Sequence, residues 1–409
     1  MIGMTEWPFS TPVIEHHPTM EQSRPAAPLT ALILGAGFAA EGHTIALKAA
    51  GVDVVAIASR TESSLAAAAE KLEIPRWDTD WRSLLADVQP DIVAVGTPGG
   101  VHFETIEASL QAGCHVLCDK PLTTAAADSR TLFELARDRG LKTAYAASYR
   151  YQPQTLYARE LVASGRLGEI YEAEFVSHYH WPARMPFGWP HRLEDGGGRL
   201  NNNFTHKLAI AQNILGGRGP GGAEVLAVTG ECRNDLKRVP IAGKVHDFRE
   251  YFTRALSVEE AAECEWAEVT SDWAYTVLAR LGDREAPDEA VSATFRHSGL
   301  RFGRHADHVA IYGEEGTLHI EEAYTQGPMF LATAPDCWEE LTIPEHIFSG
   351  LPDEDDPTQR NWTQLACDLV DDIRGVETRD YLTFRDGWIY QEVIDVVRAA
   401  AGWTRIDGA

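Results

Sequence analysis

The chain has 409 residues, 44% of them hydrophobic and 24% charged, a globular composition with enough length for two cores. A formal charge of −25 argues against nucleic acid and anionic membrane surfaces as partners, since their phosphates would be repelled, and no apolar run reaches the ~20 residues of a membrane-spanning helix. The six cysteines are scattered without CxxC pairs, which points to a reducing cytoplasm rather than a disulfide scaffold.

Residues 1–28 carry Pro8, Pro12, Pro18, Pro25 and Pro28 and lack the basic start and apolar core of a signal peptide. They read as a flexible N-terminal tail, or as an arm packed on a neighbouring subunit. From residue 29 short apolar runs (29–34, 54–58, 91–96, 115–119, 142–147) alternate with helical stretches (39–50, 62–72, 81–88, 105–112, 125–139). This is the βαβ pattern of an α/β domain over 29–149, a doubly wound parallel sheet of six strands with right-handed crossovers, five of them placed by these runs.

After Tyr149-Arg150-Tyr151 the texture changes. A helix at 154–164 precedes period-two runs at 170–180, 224–233, 270–281, 291–297, 308–313 and 317–321, separated by Gly and Pro clusters. An α+β domain over 150–409 with a large, mainly antiparallel open sheet is expected, and one face of that sheet suits a subunit interface in a homo-oligomer, dimer or tetramer. Further helices are expected at 202–215 and within 360–401. The charged, irregular segment 234–265 receives no element.

Gly35, Gly37 and Ala40 follow the first strand and open a helix. Gly35 permits a tight turn, Gly37 lets backbone approach a pyrophosphate, and the N–H groups of Phe38 and Ala39 begin the helix; the competing reading is a plain strand-to-helix turn. After the second strand, where NAD-preferring sheets carry a carboxylate, the chain has Ser59-Arg60-Thr61. These residues suit a 2′-phosphate, so NADP is preferred over NAD; an Arg60 that only stacks on adenine would leave NAD acceptable. Thr97, Pro98 and His102, and then Asp119, Lys120 and Pro121, follow two further strands at the carboxyl end of the sheet, where ligands bind. A lysine there, beside a nicotinamide, has its pKa lowered and can exchange a proton with an alcohol; a surface lysine is the ordinary alternative.

Asn202 and His206 are four apart and share a helix face, and the preceding Gly196-Gly197-Gly198 lets backbone approach a ligand. The alternative is a capping or core histidine. His178, His180 and His191 lack carboxylate or cysteine partners at metal-ligand spacing and read as a polar cleft wall, and no metal is expected. Tyr149, Trp181 and Trp189 would stack on a sugar-like ring or fill the joint between domains.

Taken together, Gly35-x-Gly37-x-x-Ala40, Thr97-Pro98 with His102, Asp119-Lys120-Pro121, Tyr149-Arg150-Tyr151-x-Pro153, the glycine run with Asn202-x-x-x-His206, and 311–318 resemble the glucose-fructose oxidoreductase, inositol dehydrogenase and rhizopine-catabolism (Gfo/Idh/MocA) family over roughly residues 29–400. The resemblance implies an N-terminal Rossmann domain, a C-terminal α/β domain, and hydride transfer between NAD(P) and a secondary alcohol or ketone of a sugar, cyclitol or glycoside. It implies a cis Lys120–Pro121 bond; on the leading reading of these residues Lys120 and His206 share proton transfer while Asn202 fixes geometry, and substrate contacts come from Lys120, Tyr149, Arg150, Trp181, Trp189, Asn202 and His206. Asn202 stands where the family has Asp, and an amide cannot exchange the proton a carboxylate can; Phe204 replaces a frequent glycine. Two other functions remain open: redox-assisted glycoside cleavage, and a catalytically lapsed dinucleotide-binding sensor or assembly subunit.

Overall fold

The computed structural model describes residues 28–399, apart from 246, 303–305 and 323–326. All but the last residue of the expected tail, and the end of the last expected helix, lie outside the described residues.

Six parallel strands form the first sheet: β1 (Thr30–Leu34), β2 (Asp53–Ala58), β3 (Arg76–Asp78), β4 (Ile92–Val95), β5 (His115–Cys118) and β6 (Thr143–Tyr145), in the order β3-β2-β1-β4-β5-β6. Helices α1 (Phe38–Ala49), α2 (Glu62–Lys71), α3 (Trp81–Val88), α4 (His102–Gln111) and α5 (Ala126–Asp138) connect them. The central strands are apolar throughout because both faces are covered: every residue of β4 is buried. β3 is the sixth strand, and the sequence does not announce it, since its three residues are all exposed at the sheet edge. Strand order reverses between β1 and β4, so the crevice for a ligand opens at their carboxyl ends.

Helix α6 (Pro153–Ala163) leads into a second sheet. Its strands are β7 (Ile170–His178), β8 (Glu224–Arg233), β11 (Ala274–Gly282), β12 (Val291–Ser298), β13 (Ala306–Gly313), β14 (Thr317–Glu321), β15 (Met329–Ala332) and β16 (Trp338–Leu341), ordered β16-β15-β14-β13-β7-β12-β11-β8. A separate pair, β9 (Arg238–Pro240) and β10 (Trp266–Glu268), lies in the segment left without elements. Of the large sheet's pairings only β7–β12 is parallel, so the sheet is mixed and mainly antiparallel. β15 and β16 extend it beyond the six runs expected. β11 begins at Ala274 rather than 270, because the backbone ahead of it is engaged elsewhere: the Thr270 N–H donates to the His191 carbonyl (3.0 Å) and the Asp272 carbonyl accepts from the Arg199 N–H (2.9 Å).

The inner face packs on α7 (Thr205–Leu215) through Phe204, which meets Phe295 and Tyr275 edge-on, while Phe175 stacks on Phe295 at 4.9 Å. Three further helices are short: α8 (Glu250–Thr253), α9 (Val258–Ala262) and α10 (Glu345–Ser349). The last two helices return to the first sheet's layers: α11 (Pro357–Ile373) seats Trp362 on Gly42 of α1, and α12 (Phe384–Ala399) packs along α5. No helix among the described residues is long and apolar enough to cross a membrane.

Candidate active site

The carboxyl ends of β1, β2 and β4 are held flush by ladder hydrogen bonds that continue past the strands, Gly35 N–H to Ala58 O and Gly96 N–H to Leu34 O, both 2.8 Å. Gly35 has φ +119°, and a Cβ there would lie 2.7 Å from the Gly96 carbonyl. A Cβ on Gly96 would lie 2.6 Å from the Ala40 nitrogen. Close packing of α1 against β4 is thus what the two glycines and the small Ala40 provide, and Ala40 is fully buried behind the crevice. Gly37 caps α1 with extended backbone and no side-chain cap, leaving the first-turn N–H groups facing the crevice. Gly35, Gly37, Phe38, Ala39, Ser59, Arg60, Thr97, Pro98, Asp119 and Lys120 all line one cavity of about 1190 Å³. A backbone anion cradle, a cation at the β2 terminus and a lysine at the β5 terminus fit a dinucleotide phosphate, a 2′-phosphate and a reacting group respectively.

The second sheet's side supplies the rest of that cavity: Tyr149, Tyr179, Trp181, Phe187, Trp189, Arg199, Asn202, Asn203 and His206. Lys120 crosses the joint between the two halves and donates from Nζ to Asn202 Oδ1 at 2.5 Å. The Lys120–Pro121 peptide is cis. Asn202 lies in a π-helical turn, Leu200–Phe204, that runs directly into α7, so the amide and His206 look the same way although the helix proper begins later than expected. Burial lowers the Lys120 pKa below its usual value; Asp119 opposes this and Arg199 adds to it. Burial also pushes His206 well below the ordinary histidine range, helped by the positive charges of Lys120, Lys207 and Arg199, so the imidazole is neutral at pH 7. Its ring meets Tyr149 edge-on at 4.6 Å. Lys207, fully buried, is paired with Asp307, which also accepts from Tyr179 at 2.7 Å. The Arg199 guanidinium lies 4.4 Å over the Trp181 ring.

Several expected site residues sit elsewhere. His102 is fully buried, its ring nitrogens facing the carbonyl oxygens of Thr97 (2.7 Å) and Pro121 (2.9 Å), so it ties the two loops together without lining the cavity. Arg150 is buried against Asp380 (3.1 Å) and Asn213 and braces α7. The histidines expected as a cleft wall do not line the cavity: His178 lies on β7 near Arg301, His180 bridges to Leu300, and His191 stacks on Trp273 behind the wall. No group of three His, Cys, Asp or Glu among the described residues could hold a metal ion.

The glycine run has a different purpose from the one expected. A Cβ on Gly196 would meet the Gly99 backbone at 2.9 Å, one on Gly197 the carbonyls of Trp189, Pro190 and Arg192, and one on Gly198 the Asp272 carboxylate at 2.6 Å. The close approach is protein to protein: it seats the second half of the cavity on the Thr97–Val101 loop. Missed from the sequence are Arg199 and Tyr179, and also the stretch 241–251, from which Ile241, Gly243, Lys244, Val245, Phe248 and Tyr251 wall the cavity. Only Arg199 carried a signal, its place between the glycine run and Asn202.

Residues 29–146 match the oxidoreductase family with an NAD-binding Rossmann fold, and residues 155–319 match the GFO/IDH/MocA C-terminal domain. The chain belongs to the Gfo/Idh/MocA family. Family relatives include D-xylose 1-dehydrogenase (NADP(+)) 2 of Haloferax volcanii, 39% identical over 45% of this chain and 56% of that protein. Another is D-glucoside 3-dehydrogenase of Escherichia coli, 32% identical over 48% of this chain and 57% of its own. The matched stretch thus spans about half the length of these curated relatives. Levoglucosan dehydrogenase in complex with NADH shares the fold, with a TM-score of 0.74 at 20% identity, over 90% of this chain and 96% of that one.

Proposed function

We propose that the chain is an NAD(P)-dependent oxidoreductase that interconverts a secondary alcohol and a ketone on a sugar, cyclitol or glycoside. The observation that carries this reading is the Lys120–Asn202 contact of 2.5 Å inside a cavity whose other end is the α1 N-terminus. The dinucleotide, when bound, supplies the hydride acceptor or donor. The first-turn N–H groups of α1 would hold its pyrophosphate, and Ser59 with Arg60 its ribose end, with NADP preferred over NAD. Lys120 then bonds the substrate oxygen, taking its proton in oxidation as the neutral amine and returning it in reduction as the ammonium. Asn202 aims that nitrogen without charging it, and the neutral His206 ring can hydrogen-bond a substrate hydroxyl. Trp181 and Trp189 offer faces for the C–H side of a sugar ring. Similarity to sugar dehydrogenases supports the substrate class.

The division into a dinucleotide domain, 29–149, and a substrate domain, 150–409, belongs to the same proposal. So does a homo-oligomer built on the outer face of the large sheet, where Leu278 and Trp338 are half-exposed. Six unpaired cysteines support a cytoplasmic setting. To test the activity, nicotinamide fluorescence measures NADPH and NADH binding, and absorbance at the reduced-nicotinamide band follows a panel of sugars, cyclitols and glycosides. Tighter NADPH binding and net cofactor reduction by a panel member are expected. Glycoside cleavage with no net reduction, or dinucleotide binding with no turnover of any member, would overturn it.

A further inference from the structure

On the second turn of α1, behind the cavity wall, His43 is fully buried and neither of its ring nitrogens has a hydrogen-bond partner. A buried imidazole in that state is a cost to folding. Its ring packs on Trp362 of α11 at 5.2 Å, a contact that a leucine would make as well, so packing alone does not account for a histidine. What faces it is a carboxylate: Nε2 lies 4.0 Å from Asp119 Oδ1, at the end of β5. At that distance the contact is a ring dipole facing a charge rather than a hydrogen bond. Asp119 in turn lines the cavity beside Lys120. Burial lowers the Lys120 pKa, and the Asp119 charge opposes it. His43 is thus one side chain removed from the lysine. Burial also lowers the His43 pKa below its ordinary value, Asp119 opposing and His102 adding to it, so the ring that faces the carboxylate is neutral at pH 7.

We propose that His43 is a positioning residue for the reaction: with its proton on Nε2 it steadies the Asp119 carboxylate from behind and thereby tunes the proton affinity of Lys120. This rests on the proposed role of Lys120 in exchanging the substrate's proton. A ring N–H aimed at the carboxylate offsets part of its negative charge, so Asp119 holds the lysine's proton less firmly and more neutral amine is present at a given pH. Without that N–H the full charge returns, and Lys120 keeps its proton to higher pH. Lys120 also faces Arg199, ahead of the π-helical turn, and His206 on α7, while Asn202 meets its Nζ without a charge. On the other side of Asp119, His102 of α4 has its ring nitrogens against the Thr97 and Pro121 carbonyls. A change at His43 leaves each of these groups in place.

Nitrogen NMR of the full-length protein carrying isotope-labelled histidine, with no dinucleotide added, reads the His43 tautomer, the signal being assigned by its loss in His43→Gln. The neutral Nε2–H form is expected at neutral pH, with a ring signal that moves in Asp119→Asn. The Nδ1–H form, or a ring indifferent to Asp119→Asn, overturns the proposal. The oxidation rate with NADP and an active sugar is then followed against pH. His43→Leu is expected to move the rising limb to higher pH by roughly 0.5 to 1 unit, and His43→Gln, whose amide N–H replaces the ring N–H, to keep the parental position. In an Asp119→Asn background the limb starts at lower pH and His43→Leu should move it no further, since the charge on which His43 acts is gone. No shift in His43→Leu, or equal shifts in the two backgrounds, means that His43 only fills space. Should His43→Leu fail to fold, the tautomer and its response to Asp119→Asn decide the matter. These outcomes leave the role of Lys120 standing; a Lys120→Ala variant with the parental rate and limb overturns that role, and the tuning with it.

Discussion

The two halves of the cavity are built in opposite ways. In the Rossmann half the ligand-facing groups are mostly backbone, supplied by neighbours in sequence: a Gly35–Ala39 turn, the ends of β2 and β4, and the first turn of α1. In the other half they are side chains brought together over long distances. Lys120 and Asn202 meet across 82 residues, and burial together with the charges of Lys120, Lys207 and Arg199 keeps His206 neutral. The first half needs only that a helix begin where a strand ends, while the second needs a particular packing of two sheets. On the proposed function, binding a dinucleotide is thus a local property, and chemistry a property of the joint.

Three measurements press on this contrast. The largest effect is expected at Lys120, which stands on the Rossmann half but acts in the joint. Lys120→Ala should slow the chemical step about 10²- to 10⁴-fold in single-turnover absorbance, with dinucleotide affinity nearly intact by fluorescence titration. Were affinity to collapse with the rate, the lysine would belong to the local half and the contrast would fail.

A smaller effect is expected for Arg60→Ala, a change confined to the local half. NADPH binding should weaken by about 10- to 100-fold and NADH binding barely change, the loss of one or so charge-assisted bonds of roughly 1.5–3 kcal/mol. Equal parental affinities for the two dinucleotides would show that Arg60 only stacks.

The smallest and most diagnostic effect belongs to Asn202→Asp. Lys120 already titrates below the usual lysine value because of burial, and oxidation requires its neutral amine, so the oxidation rate rises with pH through that pKa. A carboxylate in place of the amide, at hydrogen-bond distance, favours the ammonium and should move the rising limb to higher pH by roughly 1 to 2 units. At fixed neutral pH the variant should then oxidise more slowly and reduce no more slowly. A limb that stays in place in the rate-versus-pH profile would mean that the 2.5 Å contact does not set the lysine's proton affinity.

The comparison also explains what could be read in advance. The alternation of apolar runs and helices marks five strands of the first sheet, because buried strands leave an unbroken apolar trace; β3, with no buried residue, leaves none. Period-two alternation marks six strands of the second sheet but misses β15 and β16, four residues each, too short for alternation to show. The glycine run is visible as a demand for close approach, but a missing Cβ does not say what approaches. Here it is the Gly99 backbone, not a ligand. His102 is buried beside the cavity without lining it, its two ring nitrogens facing the Thr97 and Pro121 carbonyls. The stretch 241–251 carries charge without periodicity, so nothing local distinguishes a cavity wall from a solvated loop.

By itself, the sequence determined the doubly wound sheet, the glycine turn at the head of α1, and the set of residues Lys120, Asn202 and His206, because each is encoded by spacing along a few consecutive residues. Only the tertiary structure decided that Lys120 and Asn202 touch, that burial together with the charges of Lys120, Lys207 and Arg199 holds His206 neutral, and that Arg249 reaches Glu41 on α1. Those facts depend on how the two sheets and their helices pack together. Electrostatic coupling follows distance in space and burial, neither of which is written in the order of the residues.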